Sequence, residues 1–486
     1  MKHIENMKKT IFILMAAAGL CSCDAFLDEP MKGDYSSGNI YSTEEQAELA
    51  VNAVYNAAAY CINLWKFGDV ASDDSEKGGN PGDQADIGYI DEWNVLSDNG
   101  AVAEFWQNTY ETISRANNAI SGIEASGISD DAKSRLTAEA KFLRAFSYFQ
   151  LVNIFGEVPL KLLPQSSVEN VHVGLSSVEK IYGQIEQDLI DAQVLPATYA
   201  GEDAGRVTKG AAYGLLAKVQ LYQGKYEDAL TSISNLKQLE LYDLEQDYSA
   251  LFRLGEDGES NGNSIESIFA IFFLSDQVPA MGNALNQWFA PAAEGGYYFN
   301  APTQDWVDCF DEQTESGEED PRIDASIGRD GKEWFEQGEF NAEEWAPATG
   351  YLVKKFNQPL SQVSSGRKGD GGLAYIYLRY ADILLMEAEC QNELHHPDLA
   401  EDPLNLVRGR AGLQALEGQT EDAMRDAIRT ERRRELGFEF HRFFDLMRWG
   451  EEAAKEALGN DFPWSEPRYW FPLPQSEVDS NLGISK

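Results

Sequence analysis

Two stretches of this sequence combine aromatic rings with short polar side chains, a mixture suited to binding sugars. A sugar presents C–H faces that stack on flat aromatic rings, and hydroxyl groups that pair with carboxylate, amide and guanidinium groups. The stretches are residues 65–99 and 287–306. The residues that we predict to contact a ligand are Trp65, Asp73, Trp93, Asn99, Trp288, Tyr297, Tyr298 and Trp306. The alternative is that the aromatic residues anchor long loops to a hydrophobic core.

A dense cluster of charged residues between Glu431 and Arg448 has a composition that would suit an active site. Glu431 and Glu435 are four residues apart, so both carboxylates lie on one face of a helix. Arg442 and Asp445 follow closely. Buried arginine–carboxylate pairs that fix the last helices to the scaffold explain the same pattern without any chemistry. We therefore predict a structural network here.

No arrangement of residues in the sequence specifies catalysis. A chain with 81 Asp and Glu residues contains many carboxylate pairs by chance. Hydrolysis of a glycosidic bond requires two carboxyl groups at a defined separation beside a sugar site, which no linear motif indicates. The sequence also contains no Gly-x-Ser-x-Gly motif, phosphate-binding glycine-rich loop or zinc-binding helix motif. We predict a non-enzymatic protein with no catalytic residues, and a surface glycosidase is the alternative.

Neither a metal site nor a cofactor is predicted. His395 and His396 are adjacent, and such a pair can share one metal only from a loop, because the side chains would point about 100° apart on a helix. The segment Asp257–Gly262, with the sequence DGESNG, resembles the start of an EF-hand calcium loop. The twelfth position of that pattern should be Glu but holds Ile268. A looser structural calcium site is the alternative to a polar turn.

Residues 1–22 have the pattern of a lipoprotein export signal. A positive patch precedes the apolar run Ile11–Leu20, which is shorter than the roughly 20 apolar residues of a membrane-spanning helix. The run ends in Leu-Cys-Ser-Cys, so we predict cleavage before Cys23 and attachment of lipid to its thiol. Residues 23–41 would then form an acidic tether. An ordinary signal peptide is the alternative, and Met7 is a second candidate for the start.

The charge of the chain excludes some classes of partner. It contains 81 acidic and 39 basic residues, a formal net charge of −42. Such a surface repels nucleic acid and anionic lipid. Hydrophobic residues make up 43% of the chain, enough to fill a large core, so the charge does not indicate disorder. Cys61, Cys309 and Cys390 follow Cys23 and fit neither a disulfide framework nor a metal cluster.

Helical periodicity dominates most of the chain. We predict helices near residues 42–59, 103–123, 129–155, 177–195, 208–223, 226–236, 374–393 and 398–410. The segment Ala217–Leu236 matches part of a tetratricopeptide helix pair, with Gly224 in the turn and Ala229 where the helices approach closely. We therefore predict a mainly α fold, a tetratricopeptide-like scaffold built from residues 42–239 and 373–486.

The composition changes between residues 240 and 372. Glycine, asparagine, proline and aromatic residues become more frequent, and the helical periodicity fades. Residues 267–274 have the pattern of an isolated buried strand. We predict an irregular, loop-rich insertion that forms the ligand face together with a binding loop at residues 65–99, because binding residues concentrate in loops held by a rigid support.

Motifs in a fixed order along the chain resemble those of a known family. They are FLRA at residues 142–145, FGEVPL at 155–160, DPR at 320–322, YLRYAD at 377–382, ERRREL at 431–436 and RFFDLMRWG at 442–450. This series resembles the SusD/RagB family, the surface lipoproteins of starch-utilisation-type importers, over nearly the whole mature chain. The resemblance implies a tetratricopeptide-like scaffold with a loop-rich ligand face. It also implies a TonB-dependent (SusC-like) transporter over which the lipoprotein sits as a lid.

Signal, motifs and composition together predict a lipid-anchored protein on the extracellular face of the outer membrane. The acidic start after Cys23 resembles tags that direct lipoproteins to the outer surface in Bacteroidota. The expected function is capture of an oligosaccharide and its delivery to the transporter. The same importer role with a peptide or another nutrient as cargo is the alternative, because the family also allows it.

Overall fold

The computed structural model describes residues 40–164, 166–167, 171–255, 258–278, 280–363 and 368–484. The predicted lipidation site Cys23 lies outside these residues. The helices are α1 (Glu44–Ala58), α2 (Trp65–Gly68), α3 (Ala85–Asp91), α4 (Gly100–Ala125), α5 (Asp130–Phe155), α6 (Val178–Asp191), α7 (Lys209–Leu221), α8 (Tyr226–Lys237), α9 (Leu285–Phe289), α10 (Gln304–Asp308), α11 (Arg322–Ser326), α12 (Ala342–Trp345), α13 (Tyr380–Glu393), α14 (Pro397–Arg410), α15 (Glu421–Leu436), α16 (Arg442–Trp449), α17 (Glu451–Leu458) and α18 (Gln475–Ser480). The predicted mainly α fold is confirmed.

The strands are short. They are β1 (Ser75–Gly78), β2 (Val158–Pro159), β3 (Leu175–Ser176), β4 (Ser267–Ile271), β5 (Phe299–Pro302), β6 (Ile327–Gly328), β7 (Leu352–Val353) and β8 (Tyr375–Arg379). They form four antiparallel pairs, β1–β5, β2–β3, β4–β8 and β6–β7. Two of these pairs, β1–β5 and β4–β8, connect parts of the chain that are far apart in sequence.

Polar capping residues set the starts of the long helices. The side chains of Thr43, Ser129, Ser177 and Thr208 each accept a hydrogen bond from the backbone N–H three residues later. Such caps satisfy backbone groups that have no partner within the helix. The predicted starts of α1, α5, α6 and α7 therefore agree with the structure to within two residues. Helix α4 begins before its predicted start because Asn99 caps it.

Successive helices pack side by side to form the scaffold. Contacts run from α1 through α4, α5, α6 and α7 to α8, and α8 packs on α13, which contacts α14 and α15. Helices α7 and α8 form the predicted pair, with Gly224 in the turn at φ +69° and Ala229 fully buried. Their assignment as a tetratricopeptide repeat stays a prediction.

Three expectations about local structure are wrong. The helix predicted at 374–393 begins only at Tyr380, because residues 375–379 form β8. Strand β4 pairs with β8, so the predicted strand near 267–274 is not isolated. The predicted loop at 65–99 contains helix α3 and strand β1, which pairs with β5. In each case the partner strand is more than 100 positions away, beyond the reach of local periodicity.

One hydrophobic core joins the scaffold to the irregular segment. It contains Trp65, Phe142, Phe269 and Tyr377, which come from four distant parts of the sequence. The ring of Phe269 in β4 lies 4.9 Å from that of Phe142 in α5, at an edge-to-face angle of 77°. The segment predicted as an insertion is therefore packed into the same core as the scaffold. In the described part of the chain, no helix has the length and apolar character needed to cross a bilayer.

The charged cluster near the C-terminus is a buried ion network, as predicted. Glu431 and Glu435 are fully buried. Arg322 donates from Nη1 to Glu435 Oε2 at 2.9 Å and from Nη2 to Asp320 Oδ2 at 2.6 Å. Arg379 at the end of β8 also donates to Glu435. These bonds connect α11, β8 and α15.

A second buried group of ion pairs fixes α16. Arg432 in α15 donates to Asp382 Oδ1 at 2.8 Å and to Asp445 Oδ2 at 3.1 Å. Arg448 donates to Glu389 Oε2 at 2.8 Å. Opposite charges that are desolvated together need such close pairing. The last helices are therefore connected to α13 through arginine–carboxylate bonds.

Candidate ligand-binding site

Three of the predicted ligand-contacting residues lie together on one surface, which we call the aromatic surface: Trp288, Tyr297 and Tyr298. Trp288 belongs to α9, and the two tyrosines belong to the turn before β5. The ring centroids of Trp288 and Tyr297 are 5.6 Å apart, with an interplanar angle of 73°. Tyr297 is 46% exposed, and Trp288 and Tyr298 are half-buried. The surface thus offers aromatic rings to solvent.

Backbone contacts hold the turn that carries the two tyrosines. The N–H of Tyr297 donates to the carbonyl of Gln287 at 2.8 Å, and that of Tyr298 donates to the carbonyl of Ala290 at 3.0 Å. A Cβ at Gly296 would lie 2.1 Å from the carbonyl oxygen of Ala290, so this approach requires glycine. Tyr298 has φ +44°, in the left-handed region that bulky residues avoid. Such strained positions cluster at functional sites.

Buried aromatic residues support the aromatic surface from beneath. Trp65 is fully buried, and its ring centroid lies 5.6 Å from that of Trp288 and 6.3 Å from that of Phe299. The ammonium nitrogen of Lys66 lies 5.9 Å from the ring centroids of both tryptophans. The prediction that Trp65 exposes its ring to a ligand is therefore wrong. Its ring forms the base on which Trp288 packs.

The loop after β1 forms a polar edge next to the aromatic surface. Tyr298 Oη donates to Asn80 Oδ1 at 2.6 Å. Lys77 Nζ donates to the carbonyls of Asn80 and Asp83 at 3.2 and 2.8 Å. The backbone N–H of Lys77 donates to Asp91 Oδ2 at 3.0 Å, and burial raises the pKa of this carboxyl to about 7. An exposed amide and a tyrosine hydroxyl thus lie at this edge, but both polar atoms of the Asn80 amide have protein partners, because its Nδ2 donates to Asp83 Oδ2 at 3.1 Å.

Trp306 and Asn99 are structural residues, and the prediction that they contact a ligand is wrong. Trp306 is fully buried, packs 4.6 Å from the ring of Phe438, and donates from Nε1 to the carbonyl of Arg433 at 3.2 Å. Asn99 is 3% exposed. Its Oδ1 accepts from the N–H of Val102 at 3.0 Å, and its Nδ2 donates to the carbonyl of Asp86 at 2.9 Å. Both polar groups of this amide are therefore used by the backbone.

Asp73 is held in ion pairs. It accepts hydrogen bonds from Nε and Nη2 of Arg442, both at 2.8 Å, and lies 2.9 Å from Nη2 of Arg433. Burial alone would raise the pKa of Asp73, but Arg442 and Arg433 outweigh it and hold the pKa below its usual value. The carboxylate thus connects the segment before β1 to α15 and α16, and these ion pairs occupy it.

Trp93 anchors the end of α3. Its Nε1 donates to the carbonyl of Ala71 at 2.9 Å, and its ring meets that of Phe462 edge-to-face at 5.1 Å. These contacts match the alternative interpretation of the sequence, an aromatic residue that fixes a loop to the core. No described contact joins Trp93 to the aromatic surface.

Sequence reasoning missed Lys66, Lys77 and Asn80 at this site. The signal at Lys66 is its position between Trp65 and Phe67, which are both fully buried. A single helical turn that buries the residues on both sides of a lysine also buries its aliphatic stem. The buried stem restricts the positions that the ammonium group can take.

The described residues 258–262 of the segment that resembled a calcium loop lead into a short 3-10 turn, Asn261–Asn263. Asn261 donates from Nδ2 to the carbonyls of Leu251 and Ala374, at 2.8 and 3.2 Å, and its Oδ1 accepts from the N–H of Ala374 at 2.8 Å. Asp257, the first residue of that segment, lies outside the described residues. Within the ranges that the structure describes, no group of three or more His, Cys, Asp and Glu residues could hold a metal ion.

A cavity lies elsewhere, between α4 and α18. Its volume is about 800 Å³, and it is lined by Trp106, Gln107, Tyr110 and Lys161 among others. Trp106 is only 4% exposed, and the ammonium of Lys161 lies 5.2 Å from the ring centroid of Tyr110. The tyrosine hydroxyl donates to the carbonyl of Pro159 at 2.7 Å. The cavity therefore has enough volume for a ligand, but it exposes less aromatic ring surface to a sugar than Trp288 and Tyr297 do.

Comparison with known protein families accounts for both halves of the chain. A model described as the SusD family matches residues 265–486. A second model, described as "Starch-binding associating with outer membrane", matches residues 25–221. The chain belongs to the SusD/RagB family. Among its curated relatives, a SusD-like protein of Formosa agariphila is 26% identical over 92% of this chain and 90% of the relative. A SusD-like protein of Bacteroides ovatus is 26% identical over 91% and 83%.

Solved structures share the fold of this SusD-like protein. A SusD superfamily protein from Bacteroides vulgatus has a TM-score of 0.79 and 26% identity, covering 91% of this chain and 98% of its own. A laminarin-binding SusD-like protein has a TM-score of 0.78 and 27% identity, covering 92% and 99%. The predicted family is confirmed, and with it a SusD-like helical fold.

Proposed function

We propose that this SusD-like protein captures an oligosaccharide on the aromatic surface and delivers it to a TonB-dependent transporter of the outer membrane. The observation that carries the proposal is the pair of rings at Trp288 and Tyr297, which reach solvent above the buried Trp65 and beside the amide of Asn80. Flat rings next to short polar groups fit the two faces of a sugar. The related structure named for laminarin binding adds support.

The role is binding and not catalysis. One related structure is named for laminarin binding, and the conspicuous carboxylates of the C-terminal part are occupied by arginines. The binding experiment distinguishes a peptide ligand from a glycan ligand.

The proposal predicts that Trp288→Ala and Tyr297→Ala each weaken oligosaccharide binding by about tenfold or more, the effect expected when an aromatic anchor is removed. Isothermal titration of the wild type with neutral oligosaccharides, including glucans of the laminarin type, and with a peptide panel is the measurement. Gln107→Ala, on the wall of the cavity between α4 and α18, is the matched control and should leave affinity unchanged.

Two outcomes would contradict this assignment. Binding of peptides alone would exclude the oligosaccharide. Loss of affinity in Gln107→Ala together with full affinity in both aromatic variants would place the ligand in the other cavity. Thermal unfolding of each variant shows that a lost signal does not come from an unfolded protein.

We extend the proposal to the membrane anchor, for which the support is the Leu-Cys-Ser-Cys sequence ending at Cys23 and the family description naming the outer membrane. Cys23→Ala should move the protein from the membrane fraction to the soluble fraction of cells without lowering its affinity for the ligand. Retention of Cys23→Ala in the membrane would contradict the lipid anchor.

The proposed transporter partner predicts that a TonB-dependent barrel co-purifies with the wild type from detergent-solubilised outer membranes. Purification of the wild type without a barrel would contradict the transporter partner.

A further inference from the structure

We infer that the captured oligosaccharide carries a negatively charged substituent and that Lys66 binds this group. The inference rests on the proposed function, because it names the chemical class of the ligand at the aromatic surface. It comes from the environment of a single buried lysine.

Lys66 differs from the other buried lysines of the described residues. It is 5% exposed, and no hydrogen bond or ion pair is found for its ammonium group within the described part of the chain. The others each have an oxygen partner for Nζ. Their bonds are Lys218 to Asp382 at 2.9 Å, Lys354 to the carbonyl of Glu333 at 2.7 Å, Lys355 to Glu439 at 2.7 Å and Lys368 to Glu294 at 2.6 Å.

The ammonium of Lys66 has no partner within the described part of the chain, but its Nζ is not fully enclosed, unlike the indole nitrogen of Trp65. Removing a charge from water is compensated only when an opposite charge or a hydrogen-bond acceptor replaces the water. Acidic residues outnumber basic ones by 81 to 39 in this chain, so a carboxylate partner would have been easy to supply. Burial lowers the pKa of Lys66, and the exposed carboxylate of Glu104 only partly offsets this. The ammonium can therefore be reached by an anionic group from outside the protein.

The ammonium lies next to a ring of the aromatic surface. The ammonium of Lys66 is 5.9 Å from the centroid of Trp288, the same ring that meets the exposed Tyr297. The indole N–H of the neighbouring Trp65 is buried without an acceptor. Both groups are donors without a protein acceptor, a combination that suits anionic oxygens.

Two kinds of sugar substituent supply anionic oxygens, the carboxylate of a uronic acid and a sulfate ester. Lysine can bind either group as a point charge, because its ammonium does not impose the planar, bidentate geometry of the arginine guanidinium. The shared chemistry is therefore an acidic oligosaccharide, and the experiment distinguishes the two sources.

The test uses the full chain and three oligosaccharides of equal length, one neutral, one with uronic acids and one with sulfate esters. In isothermal titration, the wild type should bind at least one acidic ligand more tightly than the neutral one. Lys66→Met keeps the aliphatic stem and removes the charge. It should weaken binding of the acidic ligand by roughly tenfold or more relative to its effect on the neutral ligand, as expected for a lost hydrogen bond to a charged group.

Lys161→Met is the matched control, because Lys161 also lies over an aromatic ring but in the other cavity. It should change neither affinity. Raising the salt concentration should weaken binding of the acidic ligand to the wild type and leave the neutral ligand unchanged, because salt screens charge pairs. Because the salt titration uses the wild type alone, it tests the inference even if Lys66→Met folds poorly.

The outcomes separate the two proposals. Preference for the uronic acid or for the sulfate ester supports the inference and identifies the group. Equal affinity of the wild type for neutral and acidic ligands, with no salt dependence, overturns the inference but leaves the proposed function intact. Failure of all three oligosaccharides to bind overturns the proposed function itself.

Discussion

Arg379→Met is expected to lower the free energy of unfolding by about 3–5 kcal/mol, the cost of breaking a buried ion pair on one side only. Arg379 is 1% exposed. It donates to Glu266 Oε1 at 2.6 Å, to Glu439 Oε2 at 2.8 Å and to the carbonyl of Glu435 at 2.7 Å. Methionine has a similar volume but leaves these carboxylates buried without this cation. Urea unfolding followed by circular dichroism measures the change.

A surface ion pair provides the matched control. Lys455 Nζ lies 2.6 Å from Glu451 Oε1, four residues earlier in α17, and both side chains are partly exposed. Lys455→Met should change the free energy of unfolding by no more than about 0.5 kcal/mol, because exposed pairs contribute little. If both substitutions had equally small effects, the buried network would not stabilise the fold.

The same network makes the effect of Arg379→Met depend on pH. Burial alone would raise the pKa of Glu435, but Arg410, Arg379 and Arg322 outweigh burial and hold the pKa well below its usual value. A carboxyl whose pKa is lower in the folded state stabilises the protein above its unfolded pKa, about 4.3, and this contribution is lost as the pH falls. The difference between wild type and Arg379→Met should therefore be full at pH 7 and become smaller below about pH 4.

The sequence predicts the scaffold well because its signals are local. Thr43 and Ser129 lie directly before the helices that they cap, and Glu431 and Glu435 show by their spacing that they share a face. The network was predictable for a similar reason, because few other arrangements satisfy so many adjacent opposite charges. Strands β4 and β8 could not be paired from the sequence, since neither carries a local signal for a partner more than 100 residues away.

The candidate site was only partly predictable, and the reason is burial. Trp65 and Trp288 occur in similar mixtures of aromatic and polar residues, yet one is fully buried and the other is half-buried. Their exposure is decided by the pairing of β1 with β5, which brings Phe299 and the loop of Asn80 to one place. Composition indicates that a region can bind a sugar, but long-range pairing decides which rings reach the solvent.

Gly68→Ala is expected to lower both the stability of the protein and its affinity for the ligand. A Cβ at Gly68 would lie 2.1 Å from the carbonyl oxygen of Phe440 and 2.4 Å from its carbonyl carbon. These atoms belong to the backbone and cannot rotate away. The two segments are also held together by a hydrogen bond from the N–H of Phe440 to Asp69 Oδ1, at 3.1 Å. Overpacking of this kind costs about 1–3 kcal/mol.

The effect on binding follows from the position of Gly68 in α2. The same single turn carries Trp65, which supports Trp288, and Lys66. Displacement of α2 away from Phe440 would therefore move the base of the aromatic surface. Urea unfolding gives the stability, and isothermal titration at a temperature where the variant is folded gives the affinity.

Gly183→Ala is the matched control, because Gly183 lies within helix α6 and an added Cβ would meet nothing within 4 Å. Alanine is the better helix former, so this variant should be more stable by up to about 1 kcal/mol, with unchanged affinity. Loss of stability in Gly68→Ala with full affinity would show that ligand binding does not depend on the position of α2. Loss of both, with both retained in Gly183→Ala, would show that the contact between α2 and Phe440 connects the scaffold to the site.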